Sequence, residues 1–366
     1  MMSRTPKASD GGPDADLQHV VRRRKLILGL LLLGLIGSVL LALLIGTLGP
    51  IGPGNPERIS FGDAMGAIFN LPGDRPDYYN VIFWEVRIPR VLLAGLVGAA
   101  LACAGTAMQA VFRNPMADPF IVGVSSGASL GAVIAGLSGI ASVAVIGSFV
   151  SPALAFFTAL VTVFVVYSLG NVRGKLYVDT LLLSGVAVAA FLGAIVSFLI
   201  YFRSQEYHRI IFWLLGSLSL ASWTAVGVLA VAVSIGTVVV FLYSRDLNAL
   251  LLGEETAHNL GSDPETVKTL MLVFAAVMTS AGVAFTGVIG FVGLIVPHMM
   301  RIVVGADHRI LVPSATLTGA IFLILADALA RSVIAPTELP VGIITALCGG
   351  PFFLYLLRRS RTGGET

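Results

Sequence analysis

Charge is what this sequence has least of. Only 12% of its 366 residues are Asp, Glu, Lys or Arg, while 56% are hydrophobic. A soluble domain carries about a quarter charged residues, so an ordinary water-soluble fold is excluded. The long Leu, Val, Ile, Ala and Gly runs lack the strict apolar/polar alternation of half-buried strands, and the composition is that of an all-α, polytopic membrane protein. Cysteine is scarce too. Cys103 and Cys348 both lie in apolar stretches and read as small buried hydrophobes. With no CxxC and no Cys/His cluster, nothing suggests a metal or redox centre.

Catalytic signatures are also missing. There is no HExxH and no paired-carboxylate constellation. GNVRGKL at 170–176 resembles a fragment of a phosphate-binding loop, but it has three residues between its glycines where four are needed, and Leu176 where Ser or Thr must meet Mg²⁺. The chain reads as a non-enzyme. Intramembrane carboxylates, the usual material of ion-coupled transport, come down to Asp327, which lies within one turn of Arg331. His298, in GLIVPHMMR, reads as a packing histidine near a span's inner edge. If such a chain moves a solute uphill, the energy arrives from elsewhere.

What is present is hydrocarbon in span-sized pieces. About 20 apolar residues cross a bilayer, and ten spans are expected: 26–48, 89–112, 119–138, 141–169, 179–201, 222–244, 266–289, 291–305, 310–332 and 340–357. The eighth contains Pro297, and a short surface helix is expected near 211–219. The first apolar run is too long for a signal peptide, and no A-x-A site follows it. Residues 1–25 are expected to be a disordered cytoplasmic tail, 26–358 a membrane domain with a loop at 245–265, and 359–366 a cytoplasmic tail. Ten spans put both termini on one side. With the termini inside, sixteen of the 23 Lys and Arg residues fall inside and seven outside, which satisfies the positive-inside rule. Basic residues at membrane edges also argue for anionic lipid and against nucleic acid.

All seven outside residues are arginine: Arg58, Arg75, Arg87, Arg90, Arg203, Arg209 and Arg331. Arg87, Arg90 and Arg331 sit at the outer mouths of spans. They read either as docking points for an acidic partner or as local pairs and interfacial anchors, for example Arg331 with Asp327 at i,i+4. Small residues are frequent. Gly127 and Gly131 form a GxxxG, and Gly185, Ala189, Gly193 and Ser197 form a stripe on the fifth span. Such stripes serve close helix packing or line a smooth pathway.

The one long polar interruption is LLLGEETAHNLGSDPETVK at 250–268. Glu254 and Glu255 suit a helix N-terminus, Ala257 and Leu260 offer an apolar contact, and Gly261 suits the position after a helix end. Asp263 followed by Pro264 opens the next span. A helix this short is marginal in water. It packs on the chain's own surface or in a partner's groove.

Several segments together resemble the FecCD family of permeases, the membrane subunits of ABC importers for ferric siderophores, haem and cobalamin. They are VRIPR (86–90), GAALACAGTAMQAVFRNPMADPFIVGVSSGAS (98–129), LLLGEETAHNLG (250–261), GVIGFVGLIVPHMMR (287–301), DHRILVP (307–313), LADALAR (325–331) and ELPVGIITALCGGPFFLYLL (338–357). The resemblance spans about 26–358. It implies a type II ABC importer permease fold with ten transmembrane helices, a homodimer, two ATP-binding subunits inside and one solute-binding protein outside. ATP and Mg²⁺ then belong to the partner ATPase, and this chain holds no cofactor and no metal. It implies docking of the solute-binding protein at Arg87, Arg90 and Arg331. The ATPase coupling helix falls at Glu254, Glu255, Ala257, Leu260 and Gly261, and an inner gate at Val178, Asp179 and Thr180. Asn114, Pro115, Asp118 and Pro119 match a turn motif. Asp179 departs from the small neutral residues of the family pattern. The rival reading is an ion-coupled secondary transporter; a membrane enzyme is the weaker rival.

Overall fold

A computed structural model describes residues 13–45, 61–69, 71, 78–138, 147–202, 207–334 and 337–362. Among these, seven helices are long and apolar enough to cross a membrane, and three shorter apolar helices join them. The long helices are α1 (Pro13–Leu44), α4 (Ile88–Val111), α6 (Gly147–Gly170), α7 (Val178–Phe202), α9 (Trp223–Leu242), α12 (Pro264–Thr286) and α14 (His308–Ser332). The shorter ones are α5 (Val124–Leu137), α13 (Val292–Val304) and the apolar part, Val341–Tyr355, of α15 (Val341–Thr362). They follow the expected order and lie close to the expected positions. Pro297 lies inside α13 without ending it.

Short helices decorate the ends of this bundle. They are α2 (Phe61–Ile68), α3 (Tyr78–Val81), a π-turn (Ile82–Arg87) leading into α4, a 3₁₀ turn (Pro119–Val122), α8 (Tyr207–Leu214), α10 (Ser244–Leu251) and α11 (Glu254–Asn259). The surface helix expected at 211–219 is α8, displaced by a few residues. The segment GNVRGKL forms a hairpin, β1 (Asn171–Val172) with β2 (Lys175–Leu176). Arg173 and Gly174 both have positive φ, as a type I′ turn requires.

The tails differ from expectation. No Gly or Pro interrupts residues 14–28, and α1 accordingly begins at Pro13 rather than near 26. The stretch 13–25 is helical, not disordered, and residues 1–12 lie outside the described residues. At the other end α15 continues to Thr362, so 359–362 is helix, and 363–366 lie outside the described residues.

Helix α4 is the axis on which the others pack. It is buried on every side, touching α9, α12, α13 and α14, and a helix apolar all round is what such a site takes. Its small residues make this possible. A Cβ on Gly98 would strike the Gly319 carbonyl of α14, and one on Gly105 would strike the Gly293 carbonyl of α13. The GxxxG of α5 does the same against α6, with Gly127 over Thr162 and Gly131 over Thr158. The stripe on α7 divides between the two readings: Gly185 lies against the Ile121 carbonyl, whereas Gly193 has nothing within 4 Å. α7 exposes Leu183, Val186, Phe191 and Phe198, and α1 exposes Leu26, Leu30, Leu33 and Ile36. Apolar surface on this scale does not face water in a soluble monomer, and the chain is a multi-pass membrane protein.

This packing predicts a contrast between two glycines. Gly98→Val should destabilise the detergent-solubilised protein by about 3 kcal/mol through overpacking. Gly193→Ala, with room for its methyl inside a helix, should not lower the unfolding midpoint and should raise it slightly.

Candidate functional site

The polar groups gather at the two ends of the bundle. At one end, here termed the loop face, α9 turns at Tyr243 into α10, which buries Ser244, Leu247 and Leu250. Gly253 takes φ +112°, a conformation that favours glycine, and α11 follows with Glu254 and Glu255 in its first turn. The helix ends as its sequence suggests. Gly261 N–H donates to His258 O at 2.9 Å and Ser262 N–H to Ala257 O at 3.0 Å, the paired bonds of a Schellman end. Asp263 then caps α12, accepting from Glu265 N–H at 3.2 Å and from the Thr266 hydroxyl at 2.6 Å. The Thr266 bond holds the Asp263 carboxyl below its usual pKa.

α11 has two distinct sides. Ala257 is fully buried and Glu254 pairs with Lys268. Glu255, Thr256, His258 and Asn259 are exposed. Of the expected apolar pair, Ala257 is buried and Leu260 is not. Leu260 turns outward and is 66% exposed, as is Leu252 at 67% on the other side of the helix. The reason is helical geometry: Leu260 follows the last turn, where the chain leaves the face that Ala257 buries. The segment therefore packs on the chain's own surface with one side and presents apolar and polar groups with the other.

Two further anchors hold this arm. Ser262 Oγ donates to Asp246 Oδ1 at 2.7 Å. Asn248 donates to Asp307 Oδ1 at 2.8 Å and accepts from His308 N–H at 2.9 Å. Arg24 of α1 completes the cluster with Asp307 at 2.7 Å. Burial alone would raise the Asp307 carboxyl, but bonds from Asn248, the Arg309 amide and Arg24 leave it below its usual pKa.

The residues matched to a gate lie beside this arm. Val178 opens α7 and packs against the core, while Asp179 and Thr180 are exposed. Asp179 sits in the first turn of α7, where a carboxylate favours the helix dipole. That accounts for an acid where small neutral residues were expected. The side chain that joins the gate region to α11 was missed by sequence reasoning. Lys268, fully buried, donates to Leu176 O at 3.1 Å, Glu254 Oε1 at 3.2 Å and Glu265 Oε1 at 2.7 Å. A signal existed: a lysine one turn inside an apolar span demands partners, and Glu265 stands at i−3.

The turn motif is locally self-satisfied. Asn114 Oδ1 accepts from Met116 N–H at 2.9 Å, and Asp118 Oδ1 accepts from Phe120 N–H at 2.8 Å, capping the 3₁₀ turn. Pro115 is exposed between them, and Pro119 is buried against Gly293. The turn meets α7 where Gly185 abuts the Ile121 carbonyl.

At the opposite end, the arginine face, Arg87, Arg90 and Arg331 come together, but not as outward-facing groups. Each is under one-tenth exposed. Arg90 bonds Asp327 at 2.9 Å and Glu338 at 2.8 Å, and Arg331 pairs with Asp327 at 3.0 Å. Arg331 also donates to the carbonyls of Ala42 and Ile45, and Arg87 to that of Leu43 at 2.8 Å, with the Phe83 ring against its guanidinium. The local pair of Arg331 with Asp327, one of the two readings offered by the sequence, is present, and Arg87 and Arg90 also have partners within the chain. The cause lies in α1, which ends at Leu44 with its last carbonyls unpaired. Two arginines satisfy them, and Asp327 and Glu338 neutralise much of the charge. Of the other outer arginines, Arg58, Arg75 and Arg203 lie outside the described residues, as does the side chain of Arg209.

Comparison with known proteins places this geometry among relatives. The FecCD transport family matches residues 28–359. A cobalamin import system permease of Halobacterium salinarum is 51% identical over 77% of this chain and 75% of its own length. A hemin transport system permease of Yersinia pestis is 42% identical over 76% of this chain and 84% of its own. A solved ABC transporter, assigned to the metal-chelate type and captured in an inward-facing conformation, superposes with TM-score 0.77 at 30% identity, covering 91% of this chain and 99% of that one.

The arginine-face network makes a direct prediction. Asp327→Ala leaves two buried guanidinium groups short of their counter-ion and should cost about 3–5 kcal/mol in unfolding free energy. Glu338→Gln, at the half-exposed edge, should cost less than about 1 kcal/mol. Denaturation of the purified variants in detergent measures both.

Proposed function

The chain belongs to the FecCD transport family, and on that premise we propose that it is the permease subunit of an ATP-driven importer of a metal chelate. The cargo class is a corrinoid such as cobalamin, or haem, after the activities named for two relatives, or a ferric chelate such as a siderophore, after relatives named for iron chelatin and Fe(3+) dicitrate transport. A solute-binding protein delivers the chelate at the arginine face. Two copies of this chain enclose the pathway, two ATP-binding subunits sit against the loop face, and both termini are cytoplasmic in the cell membrane. ATP and Mg²⁺ act in those partner subunits.

The observation that carries the proposal is the two-sided α11. A six-residue helix with Ala257 and Glu254 held inward, Glu255 and His258 offered outward, and Leu252 and Leu260 exposed at its flanks, suits a contact that transmits force. It contains no group that performs chemistry. Val178, Asp179 and Thr180 act as the inner gate at the adjoining start of α7, whose uncovered apolar surface supports a place at the pathway or against the second copy. The turn of Asn114, Pro115, Asp118 and Pro119 braces α7 from the side. Docking draws on Arg87, Arg90 and Arg331 through the surface they fix rather than as free charges, because their donors are engaged within the chain. Glu338 and Ser219 lie at its edge.

Replacing Glu254–Gly261 with a Gly/Ser loop of equal length should abolish uptake by the assembled transporter while its ATP hydrolysis continues. Cyanocobalamin, haemin and a ferric siderophore serve as the cargo panel. Uptake that survives the replacement would contradict the proposal.

A further inference from the structure

Three separate elements converge on the ammonium of Lys268. An ammonium has three protons to donate, and here each has a different element as acceptor: Leu176 O at the end of β2, Glu254 Oε1 in the first turn of α11, and Glu265 Oε1 in the first turn of α12. The side chain is 1% exposed, so water does not substitute for these bonds. Glu265 uses its second oxygen to accept the Leu176 N–H at 2.7 Å. The Glu265–Lys268 pair thus grips both backbone groups of Leu176, whose own side chain is buried at 2%. Leu176 stands two residues before α7 begins.

We infer that Lys268 is the positioning residue through which displacement of α11 reaches the start of α7. This rests on reading α11 as the ATPase contact, and it adds the route from that contact to the gate. α11 is too short to hold its place alone. It is bounded by Gly253 and Gly261, both with positive φ, so its register against the bundle depends on Ala257, on the Glu254–Lys268 bond and, past its end, on the Ser262–Asp246 bond. A movement of Glu254 is passed to Leu176 by one ammonium held between them, with no flexible segment intervening. A brace that served only the fold would need to fill the volume. A transmitting joint also needs the charge, because the charge holds Glu254 to Leu176.

The test uses the transporter assembled with its ATP-binding subunits, in a Cys348→Ser background. Nitroxide labels are placed on Val172→Cys of both copies, and the distance between them is read by pulsed electron paramagnetic resonance without nucleotide and with ATP plus vanadate. In the parent the distance should shift on trapping. In Lys268→Met the shift should be lost, and in Lys268→Arg it should return, since a guanidinium restores charge and donors. If Lys268→Met fails to assemble, Glu254→Gln, which weakens only the α11 bond at a surface position, should reduce the shift. A full shift in Lys268→Met, or in Glu254→Gln where the first variant does not assemble, overturns the inference. The Gly/Ser loop in parallel separates the two readings. If the loop abolishes the shift and Lys268→Met does not, only the inference fails; if neither abolishes it, the reading of α11 fails as well.

Discussion

A charge buried at the edge of a hydrocarbon bundle must find a partner for each of its donors, and the rest of this structure is arranged around that requirement. Removing one partner of a buried ion pair costs several kcal/mol, because the other is left uncompensated. The chain meets the requirement twice. At one end Asp327 serves two arginines, and the carbonyls at the end of α1 take donors from Arg87 and Arg331. At the other end Lys268 is saturated by Leu176, Glu254 and Glu265. Between these clusters the helices approach through glycine and alanine around α4, and packing replaces polar contacts.

This division has a mechanical consequence. Among the described residues the apolar middle of the bundle holds no carboxylate, and Asp327, at the arginine face, is already committed to two arginines. The polar machinery lies at the surfaces instead, where other proteins can reach it. The arginine face is stiffened by its own ion pairs, and the loop face carries a short helix pivoted between two glycines. On the proposed reading, one end holds a shape and the other passes on a movement.

Much of this was legible in the residues. The ten apolar helices, the glycine end of α11 and the Asp263–Pro264 start of α12 depend on neighbours within a few positions, so local pattern exposes them. The i,i+4 pairing of Asp327 with Arg331 was equally visible. What escaped depends on distant partners. Arg90 meets Asp327 and Glu338 across more than two hundred positions, and the carbonyls of α1 that capture Arg87 and Arg331 lie in another helix altogether. Lys268 looked like one more basic residue at a membrane edge, because its bonds to Leu176 and Glu254 are set by how the hairpin and α11 fold back on α12. The helix from Pro13 to 25 was missed for another reason: polar composition suggests disorder, but helical propensity continues unbroken into the span. Gly185 and Gly193 lie on one stripe and differ only in what stands opposite them.

The central claim is that this permease contributes the pathway while its energy comes from a partner. The most direct measurement is uptake of cyanocobalamin, haemin and a ferric siderophore into proteoliposomes holding this chain, with and without its ATP-binding subunits and solute-binding protein. The account predicts uptake of one of these chelates only with the complete assembly and ATP, and none from a proton or sodium gradient alone. Gradient-driven uptake by the chain by itself would contradict it.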